Sequence, residues 1–145
     1  MTRLFWVLLT LLFSLSGPAM GEYSDFGRSL LAAKGGGLAD DIAGTFRGGR
    51  YQSHVLQSDV EAFRFSGGVS GPAGRFLTTR QTVTGIATPQ EAVQALNLPA
   101  GATAQQLNSL IIPKGTNIFY GRVEGGGSTA TQIFIENSRV LRPAP

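Results

Sequence analysis

Val60-Glu61-Ala62-Phe63-Arg64-Phe65-Ser66, then Gly67-Gly68-Val69-Ser70-Gly71-Pro72-Ala73-Gly74, then Arg75-Phe76-Leu77-Thr78-Thr79 is the stretch that decides the fold. Its ends are rich in β-branched and aromatic residues, and its middle is turn-forming, so it predicts two strands joined by a tight Gly/Pro loop. Alternation places Phe63 and Phe65 on one face of the first strand, and Arg64 on the other with Ala62 and Ser66.

Working outward, Tyr51 to Gln57 is strand-capable, and Leu110-Ile111-Ile112 reads as a short buried strand. Pro113-Lys114-Gly115 turns the chain into a further strand over Asn117 to Val123. Gly125-Gly126-Gly127 forms a loop before Thr131 to Glu136, where Thr131, Ile133 and Ile135 share one face and Gln132, Phe134 and Glu136 the other. Thr88-Pro89-Gln90-Glu91 carries an N-cap threonine, proline at the first helical position and a glutamate three residues after the cap. It opens a helix through Ala92, Val93, Ala95 and Leu96 that Pro99 ends. The sum is a small, strand-rich, loop-rich α+β domain with few short helices.

The chain has 145 residues, which sets one domain as the starting expectation. Its 20 glycines are spread without a short period, which excludes collagen-like and repeat architectures and suits a loop-rich sheet. With no cysteine there is no disulfide and no thiolate metal site, and a single histidine, His54, argues against structural zinc. No metal is expected. The net charge is +3, carried almost wholly by scattered arginines, without the cluster that a nucleic-acid surface needs. Arginine's forked donors suit phosphate or carboxylate on a small molecule.

Residues 1–21 have the order of a secretory signal peptide: Arg3, an apolar run from Leu4 to Phe13, a break at Ser14 to Pro18, and Ala19-Met20-Gly21. The run is shorter than the roughly 20 residues that span a bilayer. The expectation is a secreted or extracytoplasmic protein with no membrane span once the signal is cleaved. Residues 22–50 read as a leader or linker, with a short helix near Ser24 to Ala33 and a further turn or two over Leu38 to Ala43, partly docked on a domain spanning 51–145.

The candidate chemistry rests on Arg64, Thr78, Thr79 and Gln132. An arginine, a hydroxyl pair and a terminal amide are parts that can hold a dinucleotide and assist cleavage at its ribose. Arg64 could grip a pyrophosphate, although a solvated arginine on an outer sheet face fits the same pattern. Thr78 and Thr79 could bond ribose or brace a neighbouring catalytic side chain, although threonine favours strands in any case. Gln132 could orient a sugar as positive charge develops on it. An amide lacks the charge of a carboxylate, so orientation must carry more of the effect. It also fits the exposed face of an edge strand. Glu124, ahead of the glycine loop, is a reserve acid. Glu136 lies roughly 13 Å beyond Gln132 along the strand and is a poor one. His54 fits a surface or core-edge position, or a ribonuclease-like acid–base role.

The stretch Leu31 to Asp41, followed by Gly44 to Tyr51, resembles the junction before C-terminal toxin domains of bacterial polymorphic toxins. The region after it resembles their NAD-consuming, ADP-ribosyltransferase-like domains, including the elongation-factor-Tu-modifying type and the necrotizing-toxin type of NAD glycohydrolase. The matching residues are Arg64, Gly74-Arg75-Phe76-Leu77-Thr78-Thr79, Pro113-Lys114-Gly115-Thr116, Gly125-Gly126-Gly127 and Thr131-Gln132-Ile133-Phe134-Ile135. Ser128-Thr129-Ala130 lengthen the loop relative to the family's compact form. Phe134 stands where arginine-directed transferases carry the second acid. The resemblance implies an ADP-ribosyltransferase-like fold, α+β with a small split, bent β-sheet core and few short helices, with NAD as substrate, Arg64 and Gln132 as catalytic residues, and Arg64, Phe76, Thr78, Thr79, Gly126 and Gly127 around the dinucleotide. It further implies transfer of ADP-ribose to a protein such as a translation factor, or hydrolysis to free ADP-ribose, together with an immunity protein in the producer. A non-catalytic secreted binding module is the rival of another class. It would separate Arg64 from Gln132, whereas a nuclease would line the main cleft with His54.

Overall fold

The computed structural model describes residues 37–145. The expected signal segment, and the helix read over 24–33, lie outside them. Among the described residues no helix is long and apolar enough to cross a membrane.

The strands are β1 (Gln52–Val55), β2 (Val60–Gly68), β3 (Phe76–Thr78), β4 (Ala102–Ile112), β5 (Asn117–Arg122), β6 (Thr131–Phe134) and β7 (Arg142–Pro143). They form one 7-stranded sheet in the order β1-β5-β6-β3-β2-β4-β7, with every neighbour antiparallel. Among the described residues three short α-helices accompany it: α1 (Asp40–Ala43), α2 (Arg80–Thr84) and α3 (Pro89–Ala95). The architecture is α+β, mostly antiparallel sheet with few short helices, as the sequence indicates.

The sheet has a seam. β2 and β4 pair along a long ladder from Val60↔Ile112 to Ser66↔Gln106, and β5 and β6 pair from Phe119↔Phe134 to Arg122↔Thr131. Between these halves, β2 and β3 share the single register pair Phe63↔Thr78. Past that point the strands diverge, and a cavity opens between them.

β4 is much longer than the expected strand over 110–112. Its first part, with Gln105, Gln106, Asn108 and Ser109, carries little β preference of its own. Pairing with β2 recruits it, and Asn108 Nδ2 donates to Arg64 O at 3.0 Å and to Ser66 Oγ at 2.8 Å. The far end of this ladder shifts register between Ser66 and Gly68. Gly68 has φ +62°, and a Cβ there would lie 2.0 Å from Gly101 O, so this close crossing requires glycine. Helix α2 was also absent from the sequence reading; Thr79 caps it by accepting from Thr82 N at 3.1 Å. Helix α3 has the expected cap, with Thr88 Oγ1 accepting from Glu91 N at 3.1 Å and Glu91 Oε1 from Ala87 N at 2.8 Å.

Residues 38–50 dock on the core through Phe46. Phe46 is fully buried and clusters with Tyr51, Phe119 and Phe134, and Leu38, Ile42 and Ala43 pack around that cluster. The Phe46 and Tyr51 rings lie 5.3 Å apart, and those of Phe76 and Phe134 lie 5.1 Å apart. The segment is also stitched by backbone: Phe46 bridges Val123, and Glu124 N donates to Thr45 O at 2.9 Å.

Candidate functional site

The cavity at the seam has a volume of about 630 Å³, within the usual range for small-molecule sites. Arg64, Phe76, Thr78 and Gln132 all line it. Residues separated by up to half the chain thus converge on one space. Phe63 and Phe65 add aromatic wall, Leu96, Leu98 and Pro99 add apolar wall, and Asp40, Asp41 and Glu124 add carboxylates.

Gln132 sits in the middle of the sheet rather than at its edge. It faces Gly121 of β5 and Thr78 of β3 across the ladders, and all four β6 residues are buried. Its Nε2 donates to Thr45 Oγ1 at 2.6 Å, and Thr45 Oγ1 donates to Ile42 O at 2.6 Å. The hydroxyl has one proton, and it is committed to Ile42, so Thr45 must accept from Gln132. That fixes which end of the amide is nitrogen. The amide oxygen is left as the end without a protein donor among the described residues.

Arg64 is half-buried, and burial lowers its pKa from the ordinary value; the guanidinium nevertheless stays charged. Its Nε donates to Gly71 O at 2.9 Å and its Nη1 to Phe76 O at 2.8 Å. It therefore bridges the 71–74 loop and β3 while lining the cavity. Gly74 lies flat against it: a Cβ at Gly74 would fall 2.7 Å from Arg64 Cζ.

The threonines hold the strand that carries Gln132. Thr78 Oγ1 donates to Thr131 O at 2.6 Å. Thr79 Oγ1 donates to Thr82 Oγ1 at 3.0 Å, and Thr82 Oγ1 accepts from Thr131 N at 3.1 Å. Thr79 does not line the cavity. These bonds run to the backbone of Thr131, next to Gln132, and to Thr82, not to the Gln132 side chain itself.

Gly126 and Gly127 do not line the cavity either. Gly127 N donates to Ala95 O at 2.9 Å, and a Cβ on Gly126 would meet Ala95 O at 2.2 Å. Gly126 lets the loop lie against the end of α3. Arg47 holds the loop from the other side, with Nη2 donating to the carbonyls of Val123, Gly126 and Gly127 at 3.0, 3.1 and 3.0 Å. Glu124 does reach the cavity, and its Oε1 accepts from Gly48 N at 3.2 Å. His54, on edge strand β1, lies away from it, and Glu136 is exposed outside it.

Thr45, Asp40, Asp41 and Asn97 also line the cavity, and sequence reasoning did not single them out. The three from the 40–45 stretch lie in the segment read as leader. Their one local signal is the order Gly44-Thr45-Phe46, a polar residue between a helix stop and a large apolar anchor.

Among known proteins, no family model and no curated protein matches this chain. A solved structure described as "Rhs1-CT in complex with cognate immunity protein RhsI1" is similar to it with a TM-score of 0.49 and 19% sequence identity, over 66% of this chain and 77% of that one.

Proposed function

We propose that this protein is a toxin-like enzyme that binds NAD, breaks its nicotinamide–ribose bond and transfers ADP-ribose to a protein acceptor. The observation that carries the reading is the convergence of Arg64, Phe76, Thr78 and Gln132 on one cavity of suitable size at the seam of the sheet. A binding module with no such chemistry has no need to bring these residues together.

Each wall suits one part of a dinucleotide. The Arg64 donors not used by Gly71 and Phe76 are available to a diphosphate. Phe65 and Phe76 add aromatic surface for a flat heterocycle. The Gln132 amide oxygen accepts from a ribose hydroxyl and holds the sugar in place. In the reaction the bond from ribose C1′ to the nicotinamide nitrogen breaks, and its electron pair leaves with the ring, which departs neutral. C1′ then bonds to the acceptor's nucleophilic atom, which gives up a proton. Positive charge grows on the sugar before that bond forms. Glu124, Asp40 and Asp41 supply the negative field that Gln132 cannot.

Hydrolysis, with water as acceptor, is the second reading. It fits the contact of Thr45 on Gln132, because water needs neither the room nor the recognition residues that a protein acceptor does. Export by residues 1–21, action in a target cell and a dedicated immunity protein in the producer belong to the same proposal, on the family resemblance.

The test is NAD loss by the purified chain, with and without bacterial lysate, beside Arg64→Ala and Gln132→Ala. NAD loss without lysate means hydrolysis, and label on a lysate protein means transfer. Each substitution is expected to lower the rate on the order of 100-fold or more. A folded wild type that consumes no NAD in either condition overturns the proposal and favours a non-catalytic binding module.

A further inference from the structure

We infer that Thr45 is a positioning residue for Gln132, an inference that rests on the NAD-cleaving reading of the site. Thr45 lies immediately after α1 and its C-cap Gly44, and it is fixed from three directions. Its N–H and its hydroxyl both donate to Ile42 O, at 3.0 and 2.6 Å. Its carbonyl accepts from Glu124 N at 2.9 Å. The next residue, Phe46, is fully buried in the aromatic cluster. A hydroxyl held this firmly cannot follow a rotating amide, so the amide must conform to it.

The consequence is directional. Thr45 can only accept from Gln132, because its proton is already given to Ile42. Gln132 must then present nitrogen to Thr45 and oxygen away from it. A free glutamine amide turns easily about its last torsion, which is broad and roughly two-fold. The tether removes that freedom and keeps an acceptor, not a donor, toward the sugar. The β-sheet alone does not do this, since the ladders to Gly121 and Thr78 fix only the backbone of Gln132. The segment 38–46 therefore completes the site rather than merely covering it.

The test compares Thr45→Val, which keeps the shape and removes the acceptor, with Thr45→Ser, which keeps the hydroxyl. In steady-state NAD cleavage, Thr45→Val should lower kcat by about tenfold to 100-fold, with KM changed far less, and Thr45→Ser should restore most of the rate. Heteronuclear spectra of 15N-labelled protein give a readout independent of turnover. The Gln132 side-chain NH₂ pair is the one missing from Gln132→Ala. It should be shifted from free-amide values in wild type and Thr45→Ser, and return toward them in Thr45→Val. Wild-type turnover with an unchanged kcat in a folded Thr45→Val overturns this inference alone. No turnover by a folded wild type overturns the function reading and the inference with it.

Discussion

Arg64 shows how one side chain can serve the fold and the site together. Two of its donors close the 71–76 loop over the cavity, and Gly74 gives the guanidinium room to lie flat. A Gly74→Ala substitution puts a methyl carbon 2.7 Å from the guanidinium carbon, too close for both to stay. The arginine is flexible enough to move, but only by releasing its two carbonyls. The expected outcome is a stability loss of about 1–3 kcal/mol in chemical denaturation, with a higher KM for NAD and a smaller effect on kcat. A KM equal to wild type would mean that Arg64 serves the loop alone. The division of labour among the threonines is similarly local. Thr78 and Thr79 were recognisable as a strand-end hydroxyl pair, but one-dimensional spacing could not say that both would reach across to the start of β6.

At the level of elements, the outer end of the sheet depends on charge. β7 pairs with β4 through Leu110↔Pro143 and Ile111↔Arg142. Asp59 ties this edge to the neighbouring turns: its Oδ1 accepts from Lys114 N at 2.8 Å and its Oδ2 from Arg142 Nη2 at 2.9 Å. The Lys114 amide, aided by Arg142, holds the Asp59 pKa below the ordinary 3.8. A carboxylate with a lowered folded pKa adds stability that is present above its unfolded pKa and lost as pH falls through the folded one. Asp59→Asn should therefore destabilise the protein near neutral pH by no more than about 1 kcal/mol, because the pair is exposed. The difference should shrink as pH drops below about 3.8. Urea midpoints for both proteins across that range check it; a gap that persists in acid would mean packing, not charge. Elements also differ in how visible they were. The α3 cap was legible because Thr88, Pro89 and Glu91 make it within four residues of chain. The first half of β4 was not, because its stability comes from β2, more than thirty residues earlier.

On the scale of the whole molecule, the site is assembled from both sides of the seam and from the segment before β1. Phe46 is the anchor of that segment, and Phe46→Ala should cost about 3–5 kcal/mol, as for a fully buried aromatic. Denaturant unfolding should remain a single transition if 38–50 and the sheet form one cooperative unit. A separate early transition, with the sheet unaffected, would instead make the segment an independent cover. The amino-acid sequence by itself determined most of the strands, the α3 helix and the identity of Arg64 and Gln132 as candidates. These follow from alternation, turn residues and capping, which act within a few positions. Only the tertiary structure decided that β6 is an interior strand, that the 38–46 segment supplies the partner of Gln132, and that the glycine loop packs on α3 instead of lining the cavity. Those outcomes depend on which distant strands pair and on which surfaces must be covered to bury Phe46, Phe119 and Phe134 together. No local pattern encodes them, because the free energy that selects them comes from contacts between parts of the chain far apart in sequence.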